Sequence, residues 1–132
     1  MKDLSNILGL NKSVELNTNE SMVWEEEEEL SYLHLVSTSS LLKEVSHVTY
    51  EFLGAYIDEE ETSVVTDAEI SHLKPVVVGE NLIIGARITD IVGNRVLFKF
   101  VVMRESEKIA EGTLTRVVVS KNYLKRKAVE NF

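Results

Sequence analysis

The chain has 132 residues, 44% of them hydrophobic, with one proline, six glycines and no cysteine. A length of this order buries roughly two thirds of the unfolded surface, so one domain is expected over 1–132; without cysteine, disulfides, thiolate metal sites and thiol catalysis are excluded. The formal net charge of -8 argues against nucleic acid as a partner, and no run approaches the ~18 to 20 apolar residues of a membrane span.

The opening stretch MKDLSNILGLNKS is short and polar for a secretory signal, so a cytoplasmic protein without a membrane partner is expected. Charge is uneven along the chain. Residues Met1 to Thr62 carry 14 acids and 3 bases, the remainder 8 acids and 11 bases, so an anionic ligand favours the second half. Asn11 to Thr18 alternates loosely around Val14 and Leu16 and predicts a short strand. Five consecutive glutamates, Glu25 to Glu29, repel one another and read as a solvated loop or helical turn. Nearby Trp24 and Tyr32 are either a lid over a ligand or ordinary core and edge aromatics.

Thr38 to Tyr56 is the clearest helix, because Leu41, Leu42, Val45, Val48, Phe52 and Ala55 recur at intervals of three and four. Ser37, Thr38, Ser39 and Ser40 offer hydroxyls to its free amides, and Gly54 with the acidic run Asp58 to Glu61 marks its exit. From there the period is two. Thr62 to His72 sets Val64, Thr66, Ala68, Ile70 and His72 on one face. Pro75 and Gly79 punctuate a connection. Asn81 to Ile91 follows, then the tight-turn pair Gly93-Asn94, then Arg95 to Met103 and Lys108 to Ser120. Small residues at Gly85, Ala86 and Gly112 are expected to leave room near the helix. The result is an α+β chain whose single long helix must bury its stripe against one face of an antiparallel sheet. Thr62 to His72 is long and holds no proline, so as an edge it is expected to pair with a copy of itself in a two-fold dimer, with further assembly open.

This order resembles the hotdog fold, one long helix wrapped by a curled sheet of about five strands. Glu69-Ile70-Ser71-His72-Leu73, Pro75 with Gly79, the Gly93-Asn94-Arg95 turn, and Gly112 with Arg116 before a valine run are similar to the thioesterases related to the fluoroacetyl-CoA-specific enzyme. The resemblance covers about residues 10–120 and leaves a basic tail over 121–132. It implies a threonine before the helix, a glutamate two turns into it and a histidine after the next strand, working on a thioester carbonyl in a dimer-interface pocket. These fall on Thr38, Ser46 and His72. Serine in place of the acid is a departure, and Glu44 lies about 160° around the helix from it.

What remains is hydroxyl plus imidazole: a histidine, titrating near neutrality, can take a proton from water or from the Thr38 hydroxyl. Helix amides stabilise the oxyanion. The expectation is a hydrolase of a short-chain acyl-CoA ester; the alternative is a protein that binds acyl-CoA or another small ligand with little turnover. Ser37, Ser39, Lys74, Gly79 and Arg116 are candidates for holding substrate, with Arg87, Arg95 and the tail Lys121 to Lys127 as further cations for the CoA phosphates. Thr38 also reads as a helix cap, His72 as a core histidine, and His47 as a surface or dimer-contact residue. Three scattered histidines offer no metal site, and no cofactor is expected beyond the CoA thioester as substrate or ligand.

Overall fold

The alternating segments fold where their periodicity puts them. A computed structural model describes residues 3–130. Among these, five strands form one antiparallel sheet: β1 (Asn11–Asn17), β2 (Glu61–His72), β3 (Asn81–Val92), β4 (Arg95–Arg104) and β5 (Glu107–Ser120), in the order β1-β3-β4-β5-β2. The helix α1 (Thr38–Gly54) lies against the inner face. Leu82, Ile84 and Ile88 of β3 and Val96, Phe98 and Val102 of β4 are fully or almost fully buried and meet Leu41, Val45 and Phe52 of α1. Phe52 packs edge-on against Phe98 with ring centroids 5.8 Å apart. This is the hotdog arrangement, α+β, that the strand and helix order implied.

The sheet curls around the helix at irregularities in its register. Bulges fall between Val65 and Asp67, between Ile88 and Asp90, and between Val102 and Met103, and each adds local right-handed twist. The bulge in β2 corrects the expected facing of that strand. Beyond it Ala68, Ile70 and His72 share a face with Leu114, Gly112 and Ala110 as the alternation predicts. Before it the parity flips, so Ser63 opposes buried Val118 and Val65 opposes buried Arg116, whereas Val64 and Thr66 were expected inside.

The small residues do not line the cleft at the helix start. Gly85 opposes Ser13 and Val101 on the outer face. A Cβ on Gly112 would collide with the Glu69 carbonyl and come within 2.7 Å of Phe100 Cζ, so this glycine permits the close approach of β2 to β5. The Gly93-Asn94 turn is as predicted, with Gly93 at φ +62 and Asn94 Nδ2 donating to the Val118 carbonyl at 3.0 Å.

Residues 28–33 form an exposed 3-10 turn, in line with a solvated acidic stretch. The basic tail differs from expectation, because Lys121–Glu130 is helical (α2), with Leu124 half-buried and the rest exposed. No helix among the described residues is long and apolar enough to cross a membrane.

Candidate active site

The entry to α1 is held between two chain segments. Val36 donates its amide to the Val76 carbonyl at 2.8 Å, and Ser37 donates to Met22 at 2.9 Å. Ser37 has extended backbone and is the N-cap, its Oγ accepting from the Ser40 amide at 3.1 Å. The capping role anticipated for Thr38 therefore belongs to Ser37. Thr38 becomes the first helical residue, and its hydroxyl is free for other work.

That work is with His72. At the end of β2, beyond the bulge, the ring turns to the helix start, and its Nδ1 lies 2.8 Å from Thr38 Oγ1. Residues 34 positions apart in sequence are thus hydrogen-bonded. The other ring nitrogen, Nε2, is buried and has no hydrogen-bond partner among the described residues. No acceptor faces the amides of Thr38 and Ser39 among the described residues, as the first turn of a helix requires. A cleft of about 360 Å³ opens over this pair, lined by Trp24, Leu35, Ser37, Thr38, His72 and Lys74 among others. A hydroxyl, an imidazole and free helix amides therefore converge on one partly apolar hollow.

The remaining predicted residues divide. Ser37 and Lys74 line the cleft, but the Lys74 ammonium is 2.7 Å from Glu107. Ser39 is exposed beside Ser37, their hydroxyls 3.2 Å apart. Gly79 does not line the cleft; it turns the chain at φ +102 and donates its amide to Thr18 Oγ1 at 2.9 Å. Tyr32 is exposed, whereas Trp24 borders the cleft with its Nε1 donating to Glu26 at 3.1 Å. His47 is a surface residue 3.8 Å from Glu51.

Arg116 and Ser46 form a second cluster, and here a phosphate-binding role for Arg116 gives way to a structural one. Arg116 is 3% exposed. Its Nε donates to Thr49 Oγ1 at 3.0 Å, one terminal nitrogen to the Ser63 carbonyl and hydroxyl, both at 3.1 Å, and the other to the Ser46 carbonyl at 2.6 Å and hydroxyl at 3.1 Å. All five N–H groups are used on neutral oxygens. Burial pushes its pKa down, and the Tyr50 ring, 5.6 Å away, is its nearest aromatic face. Thr49 carried a signal in the sequence, a hydroxyl on the apolar stripe of α1. Ser63 carried none, because the bulge that turns it inward is not visible in an alternating run.

Ser46 lies two turns beyond Thr38, about 12 Å along the helix axis, and does not line the cleft. The two clusters are separate within one chain.

A family model described as fluoroacetyl-CoA-specific thioesterase, FlK, matches residues 18–122. Among solved structures, a hot-dog-like protein from Thermanaerovibrio acidaminovorans superposes with a TM-score of 0.91 at 23% identity, covering 99% of this chain and 98% of its own. The fluoroacetyl-CoA thioesterase FlK gives 0.84 at 15% identity over 95% and 96%. A thioesterase superfamily member from Thermus thermophilus gives 0.82 at 20% over 94% and 93%. No curated protein sequence matches the chain. The structural likeness carries the fold and the family model, spanning most of the chain, carries the kinship: this chain belongs to the fluoroacetyl-CoA-specific thioesterase family.

Proposed function

We propose that the protein hydrolyses a short-chain acyl-CoA thioester at the cleft over Thr38 and His72. The observation that carries this reading is the 2.8 Å hydrogen bond between Thr38 Oγ1 and His72 Nδ1 at the open start of α1. With the ring neutral and Nδ1 as acceptor, His72 takes the hydroxyl proton as Oγ bonds to the thioester carbon. The carbonyl oxygen gains charge and is stabilised by the amides of Thr38 and Ser39 and by the helix dipole. When the C–S bond breaks, the imidazolium returns its proton to the thiolate of CoA. Water, deprotonated by the same ring, then releases the acid and restores Thr38. A mutant of FlK, a relative in fold, is seen in complex with fluoroacetate and CoA.

The reading includes a homodimer. β2 is an edge strand whose Val65 to Glu69 are exposed. Antiparallel pairing of two copies about Asp67 sets His72 opposite the partner's Thr62, and Ser71 opposite the partner's Ser63. Since Ser63 and Ser46 share Arg116, this pairing brings the Ser46 cluster of one chain toward the Thr38–His72 pair of the other.

The test is thiol release from a panel of short acyl-CoA esters. The native chain turns over at least one, and His72→Ala and Thr38→Ala each lower kcat by about 100-fold or more while retaining the native circular dichroism. Full activity in the His72 variant rules out this chemistry. The binding-only reading is favoured by the absence of a carboxylate at Ser46. It is the conclusion if calorimetry finds acyl-CoA bound and recovered intact.

A further inference from the structure

Coenzyme A carries a diphosphate and a 3′-phosphate, and a site for its thioester needs cations where the cleft opens. The cleft's own neighbourhood supplies few. Lys74 is committed to Glu107, and Arg104 is committed to Glu80 at 2.9 Å and to Glu107. Glu25 to Glu29 stand exposed on the chain that follows Trp24. Lys43 on α1 is exposed and without an ion pair among the described residues, but it does not line the cleft. Arg116 is buried and fully used.

Free cations sit instead on the outer face of the sheet, at Arg87 and Lys99, which are partners across β3 and β4, and on α2. Lys125 and Arg126 are exposed and make no ion pair among the described residues. Lys127 is 3.2 Å from Glu130. Lys121 borders an acidic groove with Glu51, Asp58, Glu59 and Glu61 and is left out. Within one chain α2 cannot serve the cleft. It begins where Ser120 pairs with Glu61, at the far end of β2 from His72, a span of about 36 Å. The Lys121 amide donates to the Glu60 carbonyl at 2.8 Å, which fixes α2 at that end.

Two-fold pairing reverses the geometry. About Asp67, Leu73 and Lys74 at the cleft of one protomer come opposite the partner's Glu61 and Glu60, and α2 of the partner starts beside those residues. We infer that the phosphates of coenzyme A bound at one cleft are held by Lys125 and Arg126 of the other protomer, so that each site is completed by the partner's C-terminal helix. The inference rests on the thioesterase reading and on the β2 pairing that goes with it. It adds to them a substrate-holding role for α2.

Affinity for free coenzyme A and for pantetheine, which lacks the phosphates, tests it without requiring turnover. The full-length double variant Lys125→Glu, Arg126→Glu should bind coenzyme A at least about tenfold more weakly at low salt and pantetheine as the native protein does. Unchanged coenzyme A affinity overturns the inference and leaves the thioesterase reading standing; equal loss of both ligands overturns it too, because the phosphates are then not what α2 holds. A native protein that binds neither ligand sinks the thioesterase reading itself.

A mixed dimer settles the crossing between protomers. One chain carries His72→Ala, the other the two charge reversals, and the single working His72 then faces an unaltered partner helix. A native KM for acyl-CoA is expected from such dimers. A KM raised to that of the double variant would mean that α2 serves its own chain, which overturns the proposal.

Discussion

At the scale of single residues, the proposed chemistry depends on a division of labour between adjacent hydroxyls. Ser37 caps the helix and Thr38 is released to meet His72; had Thr38 been the cap, its oxygen would point at the amide of residue 40 or 41 and away from the ring. Sequence spacing placed both residues at the right ends of their elements, because a helix start and a strand end are marked locally. It could not assign the cap, which depends on one backbone angle at Ser37. The burial of Arg116 is not legible for a related reason, since an arginine in a strand looks the same whether it faces solvent or the helix. Its position above Ser46 gives a prediction. Ser46→Glu puts a carboxylate beside a guanidinium that has only neutral acceptors, so the new acid is charged and held. If the partner's residue 46 approaches His72, kcat should rise by about 100-fold, as measured by thiol release. A variant that folds, pairs with Arg116 and gains nothing would separate position 46 from the reaction.

At the scale of elements, the alternation in β3 and β4 was legible because each carries a row of apolar residues at every second position, and the stripe of α1 because six positions repeat it. The first half of β2 and all of α2 were not. A bulge reverses facing without altering composition, and α2 has no apolar stripe for periodicity to detect, only Leu124 reaching inward. Gly112 is the close point of the curl, where β5, β2 and Phe100 meet. Gly112→Ala forces β2 outward and should cost about 3 kcal/mol, seen as a fall in thermal midpoint of roughly 10 °C; an unchanged midpoint would show that the strands slide apart freely. The loop after β2 is tied differently. Hydrogen bonds from Lys74 and Arg104 hold the Glu107 carboxyl below its ordinary pKa. A depressed folded-state value means that the contribution is complete above the ordinary carboxylate range and is lost as pH falls through the folded value. Glu107→Gln should therefore be less stable than the native chain at about pH 7, with the gap closing by about pH 3. A gap independent of pH in urea melts would contradict the ion-pair account.

At the scale of the whole molecule, the two edges of the sheet are unlike. β1 is short, and five of its seven residues, Asn11, Lys12, Ser13, Glu15 and Asn17, are exposed and polar, which suits an edge that must stay unpaired. β2 runs twelve residues, and its exposed centre holds Val65 and Ala68. In the proposed dimer a two-fold copy covers that edge with the same strand. The proposed pairing would also join what one chain keeps apart: the Thr38–His72 pair at one end of β2, and the Ser46–Arg116 cluster and α2 toward the other. Placing lysine at both Thr66 and Ala68, which are exposed and come opposite one another in a pairing about Asp67, sets like charges close together across the two-fold. Sedimentation at micromolar concentration should then shift from twice the chain mass to the chain mass, with circular dichroism retained and thioester turnover lost together with the dimer. A native chain that sediments as a monomer while hydrolysing acyl-CoA would confine the whole reaction to one cleft, and the separation of Ser46 from Thr38 along α1 would then exclude position 46 from it.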